Sequence, residues 1–165
     1  MLEGENLDHD NYSDKYISDI LSSMKTFAVV GASMNITRPS FFVLKYLLAK
    51  GYDMTPVNPG HAGKLLLDQT VEASVFDIER PIDVVDVFRN SDAAMQVTKD
   101  AIEVGAKVVW MQLGVRNDEA AKLAENAGLK VIMNRCPKIE YGRLSGEIGW
   151  MGVNSRVVSA ARSKI

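Results

Sequence analysis

Apolar positions along the chain follow two periods in alternation. Five short runs rich in β-branched and aliphatic side chains, at 26–30, 52–57, 83–88, 107–111 and 129–133, have the length and composition of strands. Between them the apolar residues recur at three- and four-residue intervals. This spacing predicts helices at 39–50, stopped by Gly51, and at 91–104, where Ala94, Met95, Val97, Thr98, Ala101 and Ile102 form one face and Gly105 ends the run. A third helix is predicted at 117–126, capped by Asn117 and closed by Gly128. Pro39 suits the first turn of its helix, because the N–H it lacks would have no partner there. Ahead of the first strand, Ser13 and Asp14 can cap a further helix that carries Tyr16, Ile17, Ile20, Leu21 and Met24 at helical spacing. The stretch 58–80 opens with the chain-breaking Asn58-Pro59-Gly60 and holds weak signals, among them a short helix near 75–78.

Strands as continuously apolar as Val108, Val109, Trp110 and Met111 suit a parallel sheet covered on both faces, with the intervening helices as crossovers. The expected fold is α/β: a doubly wound, five-stranded, parallel Rossmann-like sheet in the order 3-2-1-4-5, counting strands along the chain, with an extra N-terminal helix. Residues 1–12 are expected to be a flexible acidic start, 13–144 the domain, and 145–165 a C-terminal tail. That tail carries Arg156, Arg162 and Lys164 against a single Glu147, and is expected to wrap the domain or a partner subunit.

Composition narrows the chemistry. At 165 residues and 47% apolar content the chain makes one domain with a proper core, and a second catalytic domain does not fit. A net charge of −2 gives no general attraction to nucleic acid or to an anionic membrane. Cys136 is the one cysteine, which excludes an internal disulfide and a thiolate zinc cluster, and His9 and His61 are too few for most metal sites. Alternation along the strand separates Asp83 from Asp86, so no oxygen cage is implied and no metal is assigned. The acidic start lacks the pattern of a signal peptide, and every apolar run falls short of the roughly 20 residues that cross a bilayer. A reducing, cytoplasmic setting is expected.

In a sheet of this kind ligands sit outside the carboxyl ends of the strands, where the strand order reverses, here between the first and fourth strands. The first strand runs into Gly31-Ala32-Ser33, small enough for a backbone to approach a phosphate, and the helix that follows presents its free N–H groups. Arg38 adds charge, and Arg89 falls in the loop after the third strand; a guanidinium fork matches phosphate in shape and charge. A dinucleotide fingerprint would place three glycines in the first loop and an acid after the second strand. The first loop has a single glycine, and the second strand runs into Asn58, Pro59, Gly60 and His61 with no acid, which disfavours ordinary nicotinamide chemistry. Gly31→Val is expected to remove binding and leave the fold. Cys136 lies on the same rim beside Arg135; a mixed disulfide with a bound thiol competes there with simple packing. There is no nucleophile elbow, metal-binding His pair or lysine-bearing phosphate loop, and no catalytic residue is assigned.

Five separated segments carry a family resemblance: Val29-Val-Gly-Ala-Ser33 with Arg38-Pro39, Pro56-Val-Asn-Pro-Gly60, Val85-Asp-Val-Phe-Arg89, Val109-Trp-Met-Gln-Leu-Gly-Val115 and Asn134-Arg-Cys-Pro137. Across residues 26–144 the chain resembles the stand-alone coenzyme A-binding domain proteins, which are similar to the nucleotide-binding part of the succinyl-CoA synthetase α subunit. The resemblance implies a site for coenzyme A, or an acyl-CoA, across the strand ends. Gly31, Ala32 and Ser33 would contact the phosphates by backbone and hydroxyl. Asn58, Pro59 and His61 would border the adenosine end, with His61 where the synthetase has a lysine. Phe88 and Arg89 would lie beside the adenine, and Gln112 and Gly114 would meet the pantetheine arm. The chain ends where the synthetase's catalytic domain would begin, so the expectation is a binding protein without catalysis of its own. The alternative is a CoA-dependent or NAD(P)-dependent enzyme subunit completed by a partner chain. A homo-oligomer and a partner enzyme subunit are both left open.

Overall fold

The computed structural model describes residues 7–145. Five parallel strands form the central sheet: β1 (Thr26–Val30), β2 (Asp53–Val57), β5 (Val84–Val87), β6 (Val108–Met111) and β7 (Lys130–Ile132). A two-stranded antiparallel hairpin, β3 (Leu65–Leu66) and β4 (Gln69–Thr70), follows β2. Alternating side chains bury both faces of the sheet. On one face Phe27, Val29, Met54, Val84, Trp110 and Ile132 pack against α1 (Asp14–Ser23), α2 (Pro39–Ala49) and α5 (Pro137–Leu144). On the other, Ala28, Val85, Val87, Val109, Met111 and Val131 pack against α3 (Ala94–Glu103) and α4 (Asp118–Asn126). The doubly wound, Rossmann-like architecture and the N-terminal helix are as the sequence implies. Ser13 accepts a hydrogen bond from the Tyr16 N–H, and Asn117 caps α4 through the Ala120 N–H.

The strand order is a correction. It reads β2-β1-β5-β6-β7, so the third main strand lies on the far side of β1 and not outside β2. Two local causes decide this. The outer edge of β2 is already taken, because the Glu72 N–H donates to the Pro56 carbonyl and the Asn58 N–H to the Glu72 carbonyl, each at 2.9 Å. Meanwhile Asp83 anchors the start of β5 beside β1, accepting from the Lys25 N–H at 2.7 Å and the Thr26 N–H at 3.2 Å. Burial pushes the Asp83 carboxyl up, but these hydrogen bonds and Lys107 outweigh it and hold the group below the usual range.

The opposite edge, β7, is sealed by tyrosines. Tyr16 donates its hydroxyl to the Val131 carbonyl at 2.8 Å and accepts from the Val131 N–H, and Tyr12 accepts from the Met133 N–H at 2.8 Å. Side chains here replace a neighbouring strand. The described part of the start that was expected to be loose, residues 7–12, therefore brings Tyr12 into the core. Helix α5 was not foreseen; Pro137 opens it, and Tyr141 and Leu144 bury its inner face. The tail from residue 146 lies outside the described residues. No helix among the described residues is long and apolar enough to cross a membrane.

Asp86 is fully buried in β5 between Val29 and Trp110, and neither carboxyl oxygen has a hydrogen-bond partner. Burial pushes its pKa well above the ordinary aspartate value. The folded state keeps this proton where the unfolded chain has released it, so the stability it permits is complete below about pH 3.9 and declines as the pH rises from there toward the folded-state pKa. Asp86→Asn, a neutral isostere, should therefore stabilise the protein at pH 7 by about 1–3 kcal/mol, with the gap closing toward pH 4. Thermal melts at the two pH values check this, and a lower Tm for the variant at pH 7 would contradict it.

Candidate functional site

With β1 central and β2 beside it, the order reverses between β1 and β5, and the two loops leaving these strands meet. Gly31 takes φ +92°, and a Cβ on it would stand 2.9 Å from the Phe88 carbonyl oxygen and 3.0 Å from the Arg89 side chain. This glycine serves the joint between two strands. Its replacement by valine would disturb the fold as well as any ligand contact, contrary to the sequence expectation. The N–H groups of Gly31 and Ala32 are also occupied, both donating to the Val57 carbonyl at 3.0 and 3.3 Å. Neither is free for a phosphate.

What remains open at this point is a cavity of about 360 Å³ lined by Gly31, Ser33, Arg38, Pro39, Ser40 and Phe88. The loop over it is shaped by its own short polar side chains. Ser33 accepts from the Asn35 N–H and Asn35 from the Thr37 N–H and hydroxyl, while Ser40 accepts from the Ser33 N–H at 3.0 Å. Helix α2 then begins at Pro39 with Arg38 as its N-cap, and the arginine side chain makes no capping bond. The helix start is thus left to present its partial positive charge to the cavity.

The arginines divide sharply. Arg80 pairs with Asp53, Arg116 with Asp10 and Asp118, and Arg143 with Asp14 and Glu140, while Arg135 donates to the Met133, Asn134 and Asp10 carbonyls. Among the described residues Arg38 and Arg89 alone of the arginines have no carboxylate or carbonyl partner, and both are exposed beside Gly31. The ion pairs that would have accounted for them as ordinary surface groups are not formed.

The other predicted residues are distributed along the same rim. Asn58 braces the site: its amide donates to the Ala32 carbonyl at 2.8 Å and its oxygen accepts from the Gly60 N–H at 2.9 Å. Pro59 and His61 form the short 3-10 turn that follows. Lys64, which sequence reasoning passed over, brings its ammonium within 3.2 Å of His61 Nδ1, because the turn folds back on itself and the Lys64 N–H reaches the His61 carbonyl. Its signal was the three-residue spacing. Gln112 lies beyond β6 with its N–H on the Val87 carbonyl and its buried side-chain oxygen unpartnered. The Gly114 N–H is used by Asn134 at 2.7 Å. Gln112 and Gly114 do not line the cavity at Gly31. Ser40 is the second residue missed, since a serine just inside a helix reads from sequence as a helix-start residue and nothing more.

Comparison with known proteins bears on this arrangement. Protein YneT of Bacillus subtilis is 37% identical over 131 residues, covering 79% of this chain and 96% of YneT. A hypothetical protein of Pyrococcus horikoshii OT3 is 42% identical with a TM-score of 0.78, covering 85% of this chain and 97% of its own. A dinucleotide-forming acetyl-coenzyme A synthetase of Ca. Korarchaeum cryptofilum shares the fold at 24% identity and a TM-score of 0.60, matching 70% of this chain and 27% of that enzyme. A family model described as a CoA binding domain matches residues 25–142, and the chain belongs to that family.

Proposed function

We propose that this protein binds coenzyme A, or an acyl-CoA, at the junction of β1 and β5 in the cytoplasm, and has no catalytic activity of its own. The observation that carries this reading is the pair of unpartnered arginines, Arg38 and Arg89, flanking a cavity at a helix start. Two guanidinium forks on either side of the Gly31 loop match a pyrophosphate in charge and shape. Ser33 would add a hydroxyl. Asn58, Pro59 and His61 would border the adenosine, with the Lys64 ammonium available to the ribose phosphate that distinguishes coenzyme A from ADP. Phe88 offers an apolar face to the adenine, and Gln112 and Gly114 lie farther along the rim toward the pantetheine arm.

Nicotinamide dinucleotides fit less well. An NAD ribose calls for a carboxylate at the end of β2. Here that position is Asn58, whose two polar atoms are already engaged.

Calorimetric titration of folded, ligand-free protein should give micromolar or tighter binding of coenzyme A, with NAD and ADP at least about tenfold weaker, a difference of about 1.4 kcal/mol. Binding of NAD in preference to coenzyme A, or of neither, would refute the reading. In the same assay Arg38→Ala and Arg89→Ala should each lose about 1.5–3 kcal/mol, roughly 10- to 150-fold in affinity, as expected for a charge-assisted hydrogen bond. Arg116→Ala, which removes an ion-paired arginine outside the site, should leave the affinity unchanged. Equal effects at all three positions would point to a general loss of charge and count against a pyrophosphate clamp.

A further inference from the structure

The first turn of α2 has a cavity on each side of it. One is the polar cavity at Gly31; the other, also about 360 Å³, lies between α2 and α5, and Pro39 lines both. The second has mainly apolar walls. Phe42 and Val43 of α2 face Ile139 of α5, with Cys136 and Thr37 between them. Lys138 lends its stem, while its ammonium sits 5.2 Å from the centre of the Tyr46 ring. Phe42 is 48% exposed and Ile139 53% exposed, although the core beneath them is closed. Phe42 is held in place by an edge contact with Phe41 at 5.7 Å.

We propose that this second cavity is an acyl-chain site, so that the protein holds thioesters of coenzyme A with short aliphatic acids in preference to free coenzyme A. The inference rests on the coenzyme A reading above and names the ligand class within it. Continuity along the rim selects the occupant: Pro39 lines both cavities, and Cys136 of the second lies two residues after Asn134, whose side chain accepts from the Gly114 N–H at 2.7 Å, so an arm laid along Gln112 and Gly114 is led to the second cavity. The far end of such a ligand is the one place where an apolar group can be attached, by a thioester to the pantetheine thiol. The Lys138 ammonium lies over the Tyr46 ring, and the mainly apolar walls remove methylenes from water.

The test is calorimetric titration of the full chain with coenzyme A and its acetyl, butyryl and hexanoyl thioesters. Each methylene that enters the cavity should tighten Kd by about threefold to fourfold, so hexanoyl-CoA should bind at least about tenfold more tightly than coenzyme A. Phe42→Ser and Ile139→Ser, at half-exposed positions outside the phosphate site, should flatten the series and leave the Kd for free coenzyme A unchanged. A flat series in the native protein with coenzyme A binding intact overturns the acyl site and spares the coenzyme A reading. Failure of every member to bind overturns both. A flat series together with a concentration-dependent dimer that Phe42→Ser dissolves gives the cavity to a second copy of the chain, and also overturns the acyl site.

Discussion

Strand β1 is hydrogen-bonded along both edges, to β2 and to β5, and the positions of the loops that follow these three strands depend on that double pairing. The two registers bring Val57, Val30 and Val87 level, so the chain leaves β1 and β5 at the same height. The backbones then touch at Gly31 and Phe88, where no side chain fits. The loop after β1 has no freedom to turn toward β5 and must rise over α2. This is why an open cavity forms at the helix start, with an arginine from each loop beside it. The sheet's outer edges are closed by other means, a short hairpin and Glu72 on one side and two tyrosine hydroxyls on the other.

Ion pairing separates the arginines that brace the fold from those beside the Gly31 cavity. Away from the rim several cationic side chains are ion-paired: Lys107 with Asp83, Arg80 with Asp53, Arg143 with Asp14 and Glu140. Exposed pairs of this kind add little stability individually. Their significance is the contrast with Arg38 and Arg89, which form no ion pair among the described residues. Asp86 stands outside this scheme, as a carboxyl placed where its neighbours Val29 and Trp110 give it nothing to bond.

The elements that sequence patterning resolves are those whose signals are local. The five apolar runs became strands, and the caps at Ser13 and Asn117 formed because a side chain three residues from its target needs no tertiary help. Strand order depends on contacts distant in sequence, yet Pro56 carried a warning: a strand with a proline lacks a donor and belongs at an edge, whereas the order 3-2-1-4-5 would have buried β2 between neighbours. The β3–β4 hairpin escaped because its turn residues, Leu67 and Asp68, take positive φ without a glycine to announce it. Helix α5 escaped because Pro137 and Gly142 weaken the local signal, and burial of Tyr141 and Leu144 overrides it. Around the cavity, Gly31, Ser33, Arg38 and Phe88 come together, with the Arg89 side chain beside Gly31. The spent N–H groups of Gly31 and Ala32 were invisible because they extend the pairing of β1 with β2, distant in sequence, and the approach of Lys64 to His61 because a tight turn makes it.

The most direct measurement is a crystal structure of the protein with coenzyme A bound. The pyrophosphate should lie over the first turn of α2, within hydrogen-bond distance of the Arg38 and Arg89 guanidinium groups and of Ser33. Density for the pyrophosphate at another edge of the sheet, with both arginines still unpartnered, would contradict it.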